Sequence, residues 1–218
     1  MKRIAALLAL CLLSGTFLRA QGDAYAFFTS SYRATVGFMD LEDPSSFATV
    51  PGALDQTSFV LAAEEAEGRV YAYTGLSFFN MVMPGAFSAV SLGEDAYYDE
   101  ILAVYNTMDY LYYDMAYDRQ AGRMYAIAGL RTDNLHWGSY LLEVDISEGD
   151  SCGNFRVLGR FAEDLCALDA DEDGHVYGIG LSGMFYYVDP ATAALTEVGP
   201  TGVLPSMTFQ NMAFNPND

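Results

Sequence analysis

Three carboxylates lie close together in one short acidic segment. Asp169, Asp171 and Asp173 alternate with other residues immediately before Gly174. This spacing places three oxygen ligands around one tight turn, which suits a hard cation such as calcium. The position where an EF-hand loop supplies its bidentate glutamate is Gly180 here, so the sequence predicts at most a weak calcium site. A polar turn between two strands explains the same residues.

A second candidate site is the segment 131–138, which contains the single tryptophan of the chain. An indole ring offers a flat apolar surface and a guanidinium offers planar hydrogen bonding, a combination that can hold a sugar or a peptide. We therefore predict a ligand-binding loop with Arg131, Asp133, His136 and Trp137, although an irregular surface loop fits the same residues. One histidine without a partner cysteine or carboxylate pattern does not predict a nucleophilic or metal centre.

A repeated pattern of tyrosine, a small residue and an apolar residue organises the elements around these segments. It begins at Tyr25, Tyr71, Tyr125 and Tyr177, at spacings of 46, 54 and 52 residues. Turn glycines precede three copies by three residues, at Gly68, Gly122 and Gly174. Strand-like runs rich in Tyr, Val and Phe flank each copy, which gives about four short strands per repeat. This is the period of a β-propeller blade.

The sequence therefore predicts an all-β fold, a β-propeller of about four four-stranded blades, with an irregular β-sandwich as the alternative. A partial blade at 24–52 lacks its first strand, and the blades proper are 58–108, 111–161 and 165–200. Residues 207–218 supply the first strand of a further blade in a truncated propeller, which we favour, or the closing strand of a four-bladed ring in which residues 209–214 pair with 24–30. The segment 94–110 fits either a helix or a strand.

Three segments carry a family resemblance: 118–125 (DRQAGRMY), 173–177 (DGHVY) and 188–199 (VDPATAALTEVG). With them, residues 24–218 resemble the irregular propeller repeats of secreted bacterial surface proteins, broadly the YVTN- and PQQ-like group. The resemblance implies the propeller fold and a bacterial surface or extracellular setting. It implies no particular activity.

The N-terminal segment has the features of a secretory signal peptide. Basic residues at 2–3 precede an apolar run at 4–13, and a small-residue cleavage site ends at Ala20. The sequence therefore predicts a signal peptide at 1–20, because this run is too short to span a bilayer, and a secreted or cell-surface protein. It predicts no membrane insertion after the signal is removed, because no later segment reaches about 18 uninterrupted apolar residues. Cys152 and Cys166 remain, and the predicted fold separates them too far for a disulfide.

Removal of the signal peptide leaves seven arginines, no lysine and a net charge of about −22. A surface of this charge repels phosphate backbones and anionic lipid, which argues against a nucleic-acid partner. Since the sequence contains no complete catalytic motif, we predict a non-enzymatic binding or scaffold module for a glycan or protein. The alternatives are a lyase or hydrolase whose axial site gathers polar residues from several repeats, and a fragment without activity of its own.

Overall fold

The computed structural model describes residues 23–30, 33–40, 43, 47–49, 59–75, 84–91, 97–106, 110–131, 137–202 and 212–214. These residues form fifteen strands and no helix, so none of them belongs to a helix long and apolar enough to cross a membrane. The strands form four separate antiparallel sheets. This confirms the all-β propeller fold.

Each sheet is one blade in which strands that follow one another in the chain are hydrogen-bonded neighbours. Blade 1 has three strands: β1 (Asp23–Ser30), β2 (Arg33–Asp40) and β3 (Phe47–Thr49). Blade 2 has four: β4 (Phe59–Ala66), β5 (Arg69–Gly75), β6 (Pro84–Ser91) and β7 (Tyr97–Asn106). Blade 3 has β8 (Tyr110–Asp118), β9 (Arg123–Arg131), β10 (Trp137–Val144) and β11 (Phe155–Arg160). Blade 4 has β12 (Leu165–Ala170), β13 (Val176–Gly180), β14 (Met184–Asp189) and β15 (Ala194–Pro200).

The innermost strands are the first strands of blades 2, 3 and 4. β4 and β12 both contact β8, so these three strands surround the propeller axis. The register of each shifts by one residue against its neighbour, at Leu61 in β4, Tyr113 in β8 and Cys166 in β12. Such β-bulges increase the local twist of a strand. The bulge is therefore part of the repeat, although the repeated sequence pattern does not contain it.

The small residue of the repeated pattern is buried on the second strand of each of these blades. Ala72 and Ala126 are almost completely buried. A Cβ atom built on Gly178 would lie 2.7 Å from the Leu165 side chain and 3.2 Å from the backbone oxygen of Ala167. Crowding against the innermost strand therefore explains why the pattern requires a small side chain here.

The hydrophobic core lies between the blades. Tyr71, Tyr73 and Phe87 of blade 2 pack against Tyr112 and Met115 of blade 3, and the Tyr73 and Tyr112 rings stack with their planes 5° apart. The opposite face of blade 3 packs against blade 4 in a second cluster. Its members include Ile127, Leu141, Leu165, Leu168 and Val188. Burial of each large apolar side chain stabilises the fold by about 1.5–3 kcal/mol, so the blade contacts hold the propeller together.

The conformation of the turn glycines and the state of the two cysteines are those predicted from the sequence. Gly68, Gly122 and Gly174 have φ values of 78°, 64° and 83°, the left-handed conformation that a glycine adopts without strain. Cys152 and Cys166 are both buried free thiols. Of the segment 94–110, which fits either a helix or a strand, residues Tyr97–Asn106 form strand β7.

Candidate functional site

The β9–β10 hairpin places two of the predicted ligand-binding residues opposite each other. Arg131 ends β9, Trp137 begins β10, and the two are direct cross-strand partners. Opposite residues of an antiparallel pair share one face of the sheet at short separation. Asp133 and His136, the other two predicted residues, lie outside the described residues. The structure thus pairs the backbone positions of the tryptophan and the arginine on which the prediction depends, and the ligand-binding loop stays a prediction.

The alternation of β10 shows which face of blade 3 packs against blade 4. Leu141 packs in the cluster between blades 3 and 4, and Leu142 packs in the cluster between blades 2 and 3. Since successive residues of a strand face opposite sides, Ser139 lies on the face of Leu141. Strand β10, which begins at Trp137, therefore borders the boundary between blades 3 and 4, which we call the cleft.

A polar cluster, consisting of Tyr113, Ser139 and Asp164, lies in this cleft. The Ser139 backbone N–H donates a hydrogen bond of 3.2 Å to the Asp164 carboxylate. Burial, and next the nearby charge of Asp164, raise the pKa of Tyr113 above its usual value, so its hydroxyl keeps its proton. Ser139 is 3% exposed, and its Oγ has no hydrogen-bond partner within the described ranges. An unsatisfied buried hydroxyl costs about 1–3 kcal/mol.

Backbone contacts fix the position of Asp164. Its carbonyl accepts a hydrogen bond of 3.0 Å from the Leu181 N–H. The preceding residue, Glu163, accepts a bond of 2.9 Å from the Ser182 N–H and a second bond from the Tyr186 hydroxyl. The link between blades 3 and 4 is therefore tied to the β13–β14 turn, and the carboxylate beside Ser139 is held in place.

The three aspartates of the predicted calcium site lie on the last turn of chain from β12 into the connection that follows it. The Asp171 carboxylate accepts hydrogen bonds from the backbone N–H groups of Asp173 and His175 and contacts the His175 ring. The Asp169 carboxylate accepts hydrogen bonds from the backbone N–H groups of Ala170 and Phe214 instead. No group of three or more His, Cys, Asp or Glu side chains within the described part of the chain is arranged to hold a metal ion. These hydrogen bonds are those of a polar turn, and the calcium site stays a prediction.

Three carboxyl groups from different blades converge on the axis. No sequence pattern predicted that they lie together. Burial, and next the charge of Asp169, raise the pKa of Glu64 from 4.5 to about 8. Burial also raises the pKa of Asp114 well above its usual value and raises that of Asp169. Glu64, Asp114 and Asp169 belong to β4, β8 and β12, so each comes from a different blade. We call these residues the axial carboxyl groups.

Two of the axial carboxyl groups also connect parts of the backbone. Asp114 accepts hydrogen bonds of 2.8 Å from the Leu168 N–H and 3.3 Å from the Met212 N–H. Asp169 accepts one of 2.6 Å from the Phe214 N–H. The hydrogen bond observed for Glu64 comes from the N–H of its neighbour Glu65, at 2.8 Å. Asp114 and Asp169 therefore tie the axis to the 212–214 segment, whereas Glu64 makes a local contact.

The repeated tyrosine pattern marks the positions of two of the axial carboxyl groups. Glu64 lies opposite Tyr71, and Asp169 lies opposite Tyr177, so both occupy the same position relative to the repeated tyrosine. The stretch from Asp169 to Tyr177 is one residue longer than the stretch from Glu64 to Tyr71, which obscures the correspondence in the sequence. Asp114 belongs to a different repeat position, opposite Ile127. Only the structure shows that it approaches the other two.

A pocket of about 420 Å³ lies at the opposite end of the β9–β10 hairpin. Arg123, Glu143, Asp145 and Arg156 contribute its charged lining. Arg156 forms an ion pair with Glu143, and hydrogen bonds from Ser147 and Ser151 lower the pKa of Asp145. The charges of this pocket thus offset one another, and it has no excess of either sign.

Comparisons with known proteins bear on the fold. No protein-family model matches the chain, and no curated protein matches it. Among solved structures, the chain is similar to a gluconolactonase from Xanthomonas campestris, at 10% identity and a TM-score of 0.53, covering 87% of this chain and 64% of that one. YCF48 bound to D1 peptide matches at 11% identity and 0.42, covering 88% and 69%. AztD from Citrobacter koseri matches at 11% and 0.35, covering 84% and 60%.

The chain spans less than two thirds of the length of the gluconolactonase and of AztD. At these identities the likeness concerns the arrangement of strands and carries no information about a shared reaction. The comparisons and the four-sheet architecture together establish a β-propeller fold.

Proposed function

We propose that the chain is a non-enzymatic binding or scaffold module that holds a glycan or protein ligand at the cleft between blades 3 and 4. The observation that carries this proposal is the direct cross-strand pairing of Arg131 with Trp137 at the end of the β9–β10 hairpin. An aromatic residue and an arginine side by side are the residue types most enriched where binding energy concentrates. The polar cluster of Tyr113, Ser139 and Asp164 on the same cleft supplies hydrogen-bonding groups in fixed positions.

The test is a binding screen on the purified full chain against a glycan array and a peptide display library. We expect Trp137→Ala and Arg131→Ala each to lower the affinity for the ligand found by at least tenfold. Arg156→Ala is the matched control, since Arg156 is an exposed arginine at the opposite end of blade 3. If both cleft variants bind every ligand as the parent chain does, the proposed site is wrong. If the folded chain binds nothing, the alternative of a fragment without activity of its own is favoured.

A second candidate function is a lyase or hydrolase with an axial site. The axial carboxyl groups favour it, because an enzyme of this kind requires polar residues that converge from several blades. A carboxyl group with a pKa of about 8, as at Glu64, is protonated at neutral pH and suits a general acid. Turnover of lactone or aryl glycoside substrates that Glu64→Gln abolishes and Glu197→Gln preserves supports this function. Absence of turnover across those substrates favours the binding module.

We further propose that the protein is exported and acts at or outside the cell surface. The signal-like segment at residues 1–20 and the lysine-free remainder of the chain support this proposal. Fractionation of producing cells, with N-terminal sequencing of the product, tests it. We expect a product that begins at Gln21 outside the cytoplasm, whereas a cytoplasmic product that retains residues 1–20 contradicts the proposal.

A further inference from the structure

The pocket of about 420 Å³ lies where the pairing of β9 with β10 ends. The last cross-strand pair is Met124 with Val144, and Arg123 and Asp145 are the next residues in the same register. Both line the pocket. Its volume lies within the range of about 300–1,000 Å³ that is usual for small-molecule sites. The pocket thus has room for a small ligand beside one basic and one acidic residue.

The four charged side chains of this pocket differ in whether they pair with one another. Glu143 and Arg156 form an ion pair. No ion pair of Arg123 or Asp145 is observed within the described part of the chain. The Tyr125 hydroxyl accepts one hydrogen bond from Arg123, and the guanidinium has further N–H donors. The pocket therefore presents one cation and one anion to a ligand.

The connection between β10 and β11 holds the Asp145 carboxylate in place. The backbone N–H of Asp145 donates to the Asn154 carbonyl at 2.8 Å, and the Asp145 carbonyl accepts the Gly153 N–H at 2.7 Å. Hydrogen bonds from Ser147 and Ser151 lower the pKa of the carboxyl group, so it stays ionised at neutral pH. A carboxylate accepts about four hydrogen bonds, which leaves room for a ligand donor.

The pocket also has an apolar wall that is part of the core. Ile146 and Phe155 line it and are half-buried, and both pack against the cluster between blades 2 and 3. The Ile146 carbonyl accepts a hydrogen bond of 3.4 Å from the Tyr71 hydroxyl of blade 2. Because this wall is fixed before a ligand arrives, binding against it requires little ordering of the protein.

We propose that this pocket binds a free α-amino acid with an apolar side chain. Arg123 binds the carboxylate, since a guanidinium matches the geometry of a carboxylate with two parallel N–H donors. Asp145 binds the ammonium group, and Ile146 and Phe155 contact the apolar side chain. A dicarboxylate would leave Asp145 against an anion, and a polyamine would leave Arg123 against a cation, which costs affinity in each case.

This site does not depend on the proposed function of the cleft. The pocket lies at the end of β10, whereas Trp137 begins that strand. The two sites are therefore eight residues of one strand apart, and the results for one leave the other untouched.

The test is isothermal titration calorimetry of the full chain with L-leucine, L-methionine and L-phenylalanine. We expect at least one of them to bind, and its N-acetyl and amide derivatives, which lack the ammonium and the carboxylate respectively, to bind at least tenfold more weakly. Arg123→Ala and Asp145→Asn should each weaken binding at least tenfold. Arg119→Ala and Asp150→Asn, an exposed arginine and an exposed aspartate outside the pocket, are the matched controls and leave binding unchanged.

Four results overturn the proposal. The first is a folded chain that binds none of the three amino acids at millimolar concentration. The second is binding that neither Arg123→Ala nor Asp145→Asn weakens, which places the amino acid elsewhere on the chain. The third is equal affinity for an amino acid and its N-acetyl or amide derivative, which shows that the pocket does not bind the charged group removed. The fourth is tighter binding of L-glutamate or of spermidine, which refutes an apolar zwitterion as the ligand.

Discussion

Replacing Glu64 with glutamine should stabilise the protein at alkaline pH and leave it unchanged at acidic pH. The pKa of Glu64 rises from 4.5 in an exposed chain to about 8 in the folded protein, because burial and next the charge of Asp169 disfavour its ionised form. Below pH 4.5 the group is protonated in both states, so it contributes no pH-dependent cost. As the pH rises from 4.5 to 8, the unfolded chain ionises first and the free energy of unfolding falls.

The size of this effect follows from the shift. One pKa unit corresponds to about 1.4 kcal/mol, so the shift at Glu64 amounts to about 5 kcal/mol at pH 8 and above. The free energy of unfolding of a domain is about 5–15 kcal/mol, so the contribution of Glu64 is a large fraction of the total stability. At roughly 2–4 °C per kcal/mol, the melting temperature of Glu64→Gln should exceed that of the parent by roughly 10–20 °C at pH 8.

The assay is urea unfolding followed by fluorescence at half-unit intervals from pH 4.5 to 8.5. The parent chain should lose stability steadily over this range, and Glu64→Gln should lose markedly less, since the amide cannot ionise. Glu197→Gln, on the exposed strand β15, is the control and should follow the parent. Parallel pH profiles for the parent and Glu64→Gln would show that Glu64 is not buried as an acid, and the axial arrangement would then be wrong.

Three further predictions concern single features of the fold. Asp114→Ala should lower the free energy of unfolding at pH 7 by about 2–5 kcal/mol, because the Leu168 and Met212 N–H groups lose a buried acceptor; a change below about 0.5 kcal/mol in urea unfolding contradicts those bonds. Gly178→Ala should cost about 1–3 kcal/mol by overpacking against Leu165 and Ala167, while Gly199→Ala, whose Cβ meets no atom within 4 Å, should be neutral; equal melting temperatures for the two variants refute the packing argument. Addition of calcium or of a chelator should leave the melting temperature unchanged, since Asp169 and Asp171 bind separate groups; a calcium-dependent rise of several degrees would support the sequence-based calcium site instead.

The fold could be predicted from the sequence because the blade is a local repeat. Strand, turn and strand recur within about fifty residues, and the tyrosine pattern with its turn glycines identifies both the period and the hairpins. The β-bulge at Leu61, Tyr113 and Cys166 could not be predicted, because the three residues have no chemical property in common. A bulge depends on how the innermost strand packs around the axis, which no local pattern records.

The candidate sites also differ in whether they depend on local structure or on the packing of blades. Arg131 and Trp137 lie six residues apart across one hairpin, so their cross-strand pairing follows from local structure. Tyr113, Ser139 and Asp164 come from β8, β10 and the segment before β12, and their proximity depends on how blades 3 and 4 pack. The calcium prediction depends on the spacing of three aspartates and stays a prediction. Asp169 belongs to an innermost strand whereas Asp171 and Asp173 belong to the connection after it, so the directions of their carboxylates depend on the bend between the two as well as on spacing.

The axial carboxyl groups serve two different purposes, and the predicted mutations distinguish them by sign. The Asp114 carboxyl accepts hydrogen bonds from backbone N–H groups of β12 and of residue 212. These bonds hold the innermost strands together and compensate the cost of burying the carboxyl group. Glu64 bonds only the adjacent N–H in the described structure, and its burial lacks such compensation between blades. Loss of the Asp114 carboxyl should therefore destabilise the fold, whereas loss of the Glu64 charge should stabilise it above pH 7. A chain retains a destabilising acid more readily where the acid serves a function, so opposite signs in these two variants would single out Glu64 as the axial group to test for chemistry.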